Sequence, residues 1–433
     1  MRLTTRAGVA PAAVAVALLA TAGCGGGNDA STTPQGEVVI TCEACPVKAT
    51  DDPFQQFRKE LTDAFNAKYK GRYRIKATPY TPANDADAAQ HYARAAATGT
   101  LPDLFAEQAT IVRDAARSGK LMDFAPALDK DRAWKSSFAS DAFLSLTDAG
   151  GHVWGVPEGR DAVGIYYNKA LFDKAGIAAF PATWDAMLQA CAKLKAAGAI
   201  PFAMDGDWVT QLMWSNLIGT KPGGVAFLRS GISKGDFASN PSVVQATEFL
   251  KGMHTSGCVN KDAFSGDYEH AAAPFLDGQA AMIANGPWMV PDIKAAKKKL
   301  DVGYASSPGN GLLVIPGSEG WASGAKGDDK RAAVTAFMKF MTSNQEMFHK
   351  AEVTGSFWPT KLKPDAAQVR ELEPLAYDLL EKAGTVAYVY PHAKFATPEA
   401  FTRAWTNGWP AYVQGKMSTK DFLSSLSDAV QRR

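Results

Sequence analysis

The sequence predicts an α/β protein of two lobes finished by a run of helices. Three observations lead there. The chain has 433 residues, 46% of them hydrophobic, which at roughly 150 residues per domain gives two or three domains with a sizeable core. Strand-like and helix-like stretches alternate, and the alternation occurs twice, with no period of roughly 20–50 residues that would mark a solenoid. From residue 328 onward the pattern is mostly helical. Composition excludes other classes. With 21% charged residues and a net charge of +2, the chain is neither polar enough for disorder nor basic enough for binding through nucleic-acid phosphates. Five cysteines are too few for a dense disulfide scaffold, and their odd number leaves one thiol to account for.

The first unit begins at Gly36. Val38-Val39-Ile40 is a short β-branched run and reads as a buried strand. Phe54, Phe57, Leu61, Phe65 and Tyr69 recur at spacings of three and four, the signature of one helix face. Tyr73, Ile75 and Ala77 alternate, which predicts a strand over 72–79. An alanine-rich helix follows over 86–98, closed by Gly99. Pro102-Asp103-Leu104-Phe105 reads as a short strand and 111–118 as a helix.

The second unit restarts with a strand at 164–167. Thr183 is a candidate N-cap for a helix over 184–197, ended by Gly198. Strand-like pieces at 200–204, 280–283 and 301–304 alternate with a helix over 242–255. Helices over 330–341, 365–382, 398–413 and 419–431 complete the chain. No Pro- or Ser-repeat linker separates the units, which predicts lobes joined by short strands or hinges.

The N-terminus reads as a targeting segment. Arg2 and Arg6 precede an apolar run from Val9 to Ala20, which is shorter than the roughly 20 residues a membrane span needs. Thr21-Ala22-Gly23-Cys24 ends the run and resembles a bacterial lipobox. That resemblance implies a signal peptide over 1–23 and a lipid-modified Cys24 as the new N-terminus; plain secretion with cleavage nearby is the alternative. Residues 24–35, opening Gly25-Gly26-Gly27, form a flexible tether beside the membrane. Losing residues 1–23 removes two of the 46 basic residues and none of the 44 acidic ones, so the remaining chain carries no formal net charge.

No local catalytic or metal motif is present. The six histidines have no metal-binding spacing, and neither a Gly-x-Ser-x-Gly elbow nor a phosphate-binding loop occurs. Neither a metal nor a cofactor is therefore expected. Cys42-Glu43-Ala44-Cys45 follows the first strand, but Pro46 and Pro53 intervene before the next helix. A structural disulfide in a loop is favoured over a thiol redox site, whose first cysteine should open a helix. Cys191 and Cys258 are candidates to pair with each other, although four cysteines allow three connectivities. Lys297-Lys298-Lys299 reads as a solvated helix end.

Ten tryptophans are the most suggestive excess. Trp154, Trp184, Trp208, Trp214, Trp288 and Trp358 fall near element ends and turns rather than at helical spacing. A sugar ring packs its C–H face on an aromatic plane and bonds its hydroxyl rim to carboxylates and amides. For any one of these tryptophans taken alone, a core position is the favoured reading.

Several segments together resemble the family 1 extracellular solute-binding proteins, the sugar-capturing lipoproteins of ABC importers. They are Phe65-Asn66-Ala67-Lys68-Tyr69, Gly99-Thr100-Leu101-Pro102-Asp103-Leu104, Trp154-Gly155-Val156-Pro157, 164–172, Pro181-Ala182-Thr183-Trp184-Asp185 and, most specific, 275–288 ending Asn285-Gly286-Pro287-Trp288. The resemblance implies a two-lobed periplasmic-binding-protein-like fold with a ligand cleft between the lobes and helical C-terminal decoration. Lobe one would hold 36–162 with 311–352, and lobe two 163–310 with 353–433.

The same resemblance implies a set of ligand-binding residues. Trp288 matches a sugar-stacking position. Asp161 matches an acid that bonds sugar hydroxyls in maltose-binding relatives; a hinge salt bridge with Arg160 is its alternative role. Asp207 and Trp208 follow the strand at 200, Glu107 follows the strand at 102, Glu43 follows the first strand, and Trp358 sits in a turn that faces the cleft in relatives. The implied protein is a monomeric receptor on the extracytoplasmic face of a bacterial membrane. It binds a sugar or oligosaccharide by lobe closure and delivers it to permease subunits of an ABC transporter, with no catalysis and no nucleic acid. A non-sugar solute, such as a peptide or polyol derivative, is the alternative ligand. An anchored glycoside hydrolase, pairing Asp161 with Asp207 or Glu107, is the alternative class.

Overall fold

The computed structural model describes residues 36–83, 85–309, 311–317, 319–365, 387–389, 395 and 398–431. The signal segment, Cys24, the tether and the helix expected beyond 365 lie outside the described residues. Among the described residues, no helix is long and apolar enough to cross a membrane.

Strand β1 (Val38–Cys42) pairs parallel with β2 (Tyr73–Ala77), in register from Val38 opposite Tyr73. The helix Pro53–Lys68 connects them and turns Phe57, Leu61 and Phe65 inward. It starts where the sequence has a good stop–start signal: Asp52 accepts the Gln55 N–H at 2.7 Å and Pro53 opens the first turn. A second sheet has the order β3–β10–β4, from Phe105–Gln108, Glu319–Ala322 and Val156–Pro157. The strand expected at 102–105 begins later than its apolar run suggests. Asp103 is occupied as an anchor, accepting from Thr41 N at 2.9 Å and from Lys330 Nζ at 2.9 Å. Only Leu104 bridges to Cys42 before the ladder with β10 starts at Phe105.

Lobe two is built on a larger mixed sheet. Its path is β11–β9–β5–β7–β6, from Ala387–Val389, Leu312–Pro316, Arg160–Asn168, Ala280–Asn285 and Ile200–Ala203; β8 (Val302–Ala305) pairs with β5. Strand β9 pairs with β5 through Asp161 opposite Ile315, so residues 312–316, which the resemblance groups with lobe one, run in the larger sheet. The chain crosses to the smaller sheet at Gly317. Its φ of +56° and an Ala142 carbonyl oxygen 2.8 Å from where a Cβ would sit exclude any side chain there. The two crossings lie side by side, with Gly317 N donating to Gly159 O and Glu158 N to Glu319 O.

The remaining helices pack around two aromatic cores. Phe65, Trp321 and Phe337 centre the first; Trp214, Phe401, Trp405, Trp409 and Phe422 centre the second. Helices Asp328–Met341, Pro398–Val413 and Thr419–Gln431 occupy the expected stretches. Helix Trp208–Gly219 shows no amphipathic period because nearly all its residues are buried on every side. Cys42 is bonded to Cys45, and Cys191 to Cys258, with Cα atoms 5.4 and 5.1 Å apart. The second bond ties helix Trp184–Ala196 to the end of helix Pro241–Ser256.

Candidate functional site

A cavity of about 420 Å³ opens where the crossings meet helix Trp208–Gly219, within the range of small-molecule sites. One wall is aromatic. Trp208 begins that helix; its indole stacks on the Tyr268 ring at 5.2 Å and 12° and meets Trp288 at 6.1 Å and 53°. Trp288 sits in a tight turn, Pro287–Met289, that leaves β7. Tyr268 does not line the cavity; it backs Trp208, and its hydroxyl reaches Asp292 Oδ2 at 3.4 Å. Both tryptophans are half-buried, each with part of its surface free to meet a ligand.

Asp207 stands beside this wall and accepts from Gln211 Nε2 at 3.1 Å. Its neighbour Asp205, fully buried, holds the start of the helix by accepting from the backbone N–H of Asp207, Val209 and Thr210. Burial raises the Asp205 carboxyl, against those three bonds.

The rest of the lining is largely polar or charged. Glu158, Gly159 and Asp161 come from the first crossing, Glu319 from the second, and Lys350 from helix Asn344–Thr354. Arg58 lies behind them: its Nη2 is 2.7 Å from Glu158 Oε2 and 3.0 Å from Glu319 Oε2. Burial alone would raise Glu158, but Arg58 and Lys350 outweigh it and hold the carboxyl below its ordinary value. Asp161 accepts the Phe357 N–H at 2.8 Å, and burial pushes its carboxyl up despite Lys350. Arg160 turns away and forms a double hydrogen bond with Asp141 at 2.8 and 3.1 Å. Gln108, Thr110 and Arg113 reach the cavity from the end of β3 and the helix after it.

Four residues singled out from sequence, Asp161, Asp207, Trp208 and Trp288, therefore share one cavity. Three others lie outside its lining. Trp358 is buried against Phe357 in the first core, with the preceding Gly355 pressed on Pro287. Glu43 accepts from the His91 ring Nε2 at 2.9 Å, and Tyr80 stacks on that ring at 3.8 Å. Glu107 is half-buried and pairs through its backbone with Gly320. Trp184 and Trp214 are core residues whose indole N–H groups bond Thr220 and Thr247. Sequence reasoning missed Glu158, Glu319, Lys350 and Arg58. The run Glu158-Gly159-Arg160-Asp161 was a visible charge cluster, but nothing local brings Arg58 or Lys350 to it.

Residues 60–372 match the family model of bacterial extracellular solute-binding proteins, and the chain belongs to that family. A multiple sugar-binding protein of Streptococcus mutans is 28% identical over 214 residues, which are 47% of this chain and 50% of that protein. An sn-glycerol-3-phosphate-binding periplasmic protein of Rhizobium meliloti is 26% identical over 205 residues, covering 44% of this chain and 46% of its own. These matches span about half the length of those curated relatives. Among solved structures, a chitin oligosaccharide binding protein superposes with a TM-score of 0.69 at 18% identity, over 90% of this chain and 98% of that one. That likeness shows a shared two-lobed fold.

Proposed function

We propose that this solute-binding protein is a receptor for a neutral sugar or oligosaccharide. It would be held by lipid at Cys24 on the outer face of a bacterial membrane, and would hand its ligand to the permease of an ABC importer. One observation carries the ligand class: two adjoining tryptophans line the same cavity as a group of carboxylates and a lysine. Aromatic planes take the C–H face of a sugar, and the charged wall takes its hydroxyls. The ligand would dock on Trp288 and Trp208 and bond Asp161 as the lobes close, expelling water. Closure follows only if the ligand binds the closed form better than the open one.

The Rhizobium meliloti relative raises a phosphorylated polyol as ligand. Here Glu158, Asp161, Asp207 and Glu319 line the cavity against Lys350 and Arg113. Carboxylates outnumber cations even when Arg58 is counted, which opposes a phosphate dianion. Titrating the protein with neutral mono-, di- and trisaccharides, read by tryptophan fluorescence and then calorimetry, tests the reading. Saturable binding of at least one neutral sugar is expected. Binding of none, or preference for glycerol 3-phosphate, would sink it.

A further inference from the structure

We infer that the clearing beside Gly159 is a hydroxyl-recognition subsite, in which Lys350 donates to the ligand and Asp161 accepts from it. The inference rests on the receptor reading above and adds the groups that choose among ligands. A Cβ placed on Gly159 would lie 3.3 Å from Asp161 Oδ2, 3.3 Å from the Phe357 carbonyl oxygen and 3.4 Å from Lys350 Nζ. Asp161 Oδ2, the Phe357 carbonyl oxygen and Lys350 Nζ thus converge over the Gly159 Cα, two acceptors and one cationic donor, and a ligand oxygen approaching them from the cavity would sit farther out than a Cβ. Gly159, Asp161 and Lys350 all line the cavity.

Lys350 is balanced by carboxylates at a distance but is in contact with none of them. It is 2% exposed, yet its ammonium forms no salt bridge and no hydrogen bond among the described residues. A buried lysine that only balanced charge would be expected in contact with a carboxylate. Glu158 and Glu319 instead take Arg58, and Asp161 takes the Phe357 N–H. Three ammonium protons therefore remain for a group that comes and goes with the cavity's contents.

The chemistry of that group follows from its surroundings. A hydroxyl can donate to Asp161 Oδ2 and accept from Lys350 at once. A ligand carboxylate or phosphate would satisfy Lys350 but meet Asp161, Glu158 and Glu319, each of which Lys350 already influences electrostatically. An amine would meet Lys350 itself. The subsite therefore selects an uncharged hydroxyl, or two vicinal ones. Gly159 leaves these three groups uncrowded, since a Cβ would press on all of them. Its φ is not in the left-handed region, so the missing side chain reflects space rather than backbone conformation.

Gly159→Ala places a methyl against Asp161 Oδ2 and Lys350 Nζ, and Lys350→Met removes the donor. Both are titrated by calorimetry beside wild type with neutral mono-, di- and trisaccharides and with glucuronic acid, and thermal melts report folding. The wild-type chain is also titrated with monodeoxy analogues of its tightest sugar, which needs no variant to fold. Tenfold or greater weakening in each folded variant is expected, together with one deoxy position that loses tenfold in wild type. Glucuronic acid should bind no better than glucose. No wild-type binding to any neutral sugar overturns the receptor reading itself. Wild-type binding that both folded variants keep within twofold, a deoxy series in which no position matters, or preference for glucuronic acid overturns the subsite and leaves the receptor reading standing.

Discussion

Arg58→Met should be among the most damaging single substitutions in lobe one, and the structure sets its size. Arg58 projects from helix Pro53–Lys68 and bonds Glu158 through Nη2 at 2.7 Å and Nε at 3.4 Å, with Glu319 at 3.0 Å. It joins the first helix to both crossings between the lobes. The two partners do not count equally. The Glu158 side chain is 2% exposed, whereas that of Glu319 is 47% exposed and well screened. Removing the guanidinium strands the Glu158 carboxylate in the interior, which costs about 3–5 kcal/mol. Lys350 remains nearby and favours the lower end. The double variant Arg58→Met with Glu158→Gln removes the stranded charge and should recover at least half of the loss. The pH dependence gives a second check. In wild type Arg58 holds Glu158 below the ordinary value of 4.5, so this contribution is present above pH 4.5 and is lost as the pH falls through the lower folded value. In Arg58→Met the carboxyl is raised by burial, and protonating it relieves the penalty, so the gap to wild type should narrow as the pH drops from 7. Urea unfolding at pH 7 and at pH 5 measures both. A single variant within about 1 kcal/mol of wild type, or a double no more stable than the single, would refute the reasoning.

Three further outcomes follow from the same structure. Trp288→Ala should weaken the tightest sugar by about 2 kcal/mol, roughly 30-fold, because it removes the outer plane of the aromatic wall; calorimetry showing unchanged affinity would mean the ligand does not lie on that wall. Replacing Cys191 and Cys258 by alanine opens a link between residues 67 apart, worth about 4 kcal/mol in the chain-entropy picture; the Cys42–Cys45 link, between residues 3 apart, should cost under half of that, and a reversed order of urea midpoints would count against loop length as the cause. Burial depresses His254 from 6.5 to about 4, its ring edge-on to Trp409 at 5.3 Å. The unfolded chain then binds the proton first, so stability is full above pH 6.5 and falls by up to about 3 kcal/mol as the pH drops to 4. His254→Leu should flatten that limb of the pH–stability curve, and an unchanged limb would assign it to other groups.

The parts of the molecule that could be read from sequence are those whose cause is local. The helix at Pro53–Lys68 announces itself through Asp52, Pro53 and the spacing of Phe57, Leu61 and Phe65, all within one stretch. Trp288 stands out because a turn of Asn285-Gly286-Pro287 sets it off from any packing period. Helix Trp208–Gly219 is the opposite case: burial on all sides erases the 3.6-residue rhythm, so its first residue, Trp208, could be placed near a loop but not at a helix start. The charged wall was less legible still. Arg58 and Lys350 reach Glu158 and Asp161 from helices 100 and roughly 190 residues away, and at their own positions each looks like an ordinary surface cation on an amphipathic helix. What makes them unusual is burial, and burial comes from the two crossings at Gly159 and Gly317 running side by side. The crossing geometry therefore does two things at once. On the proposed receptor reading it would hinge the lobes and carry the polar lining of the cavity on the hinge itself, so a ligand hydroxyl bonded there would touch the strands about which closure must turn. Trp208 and Trp288 lie on lobe two alone. On that reading the tryptophans would supply affinity in the open form and the charged residues the preference for the closed one, which is the difference in binding that closure requires.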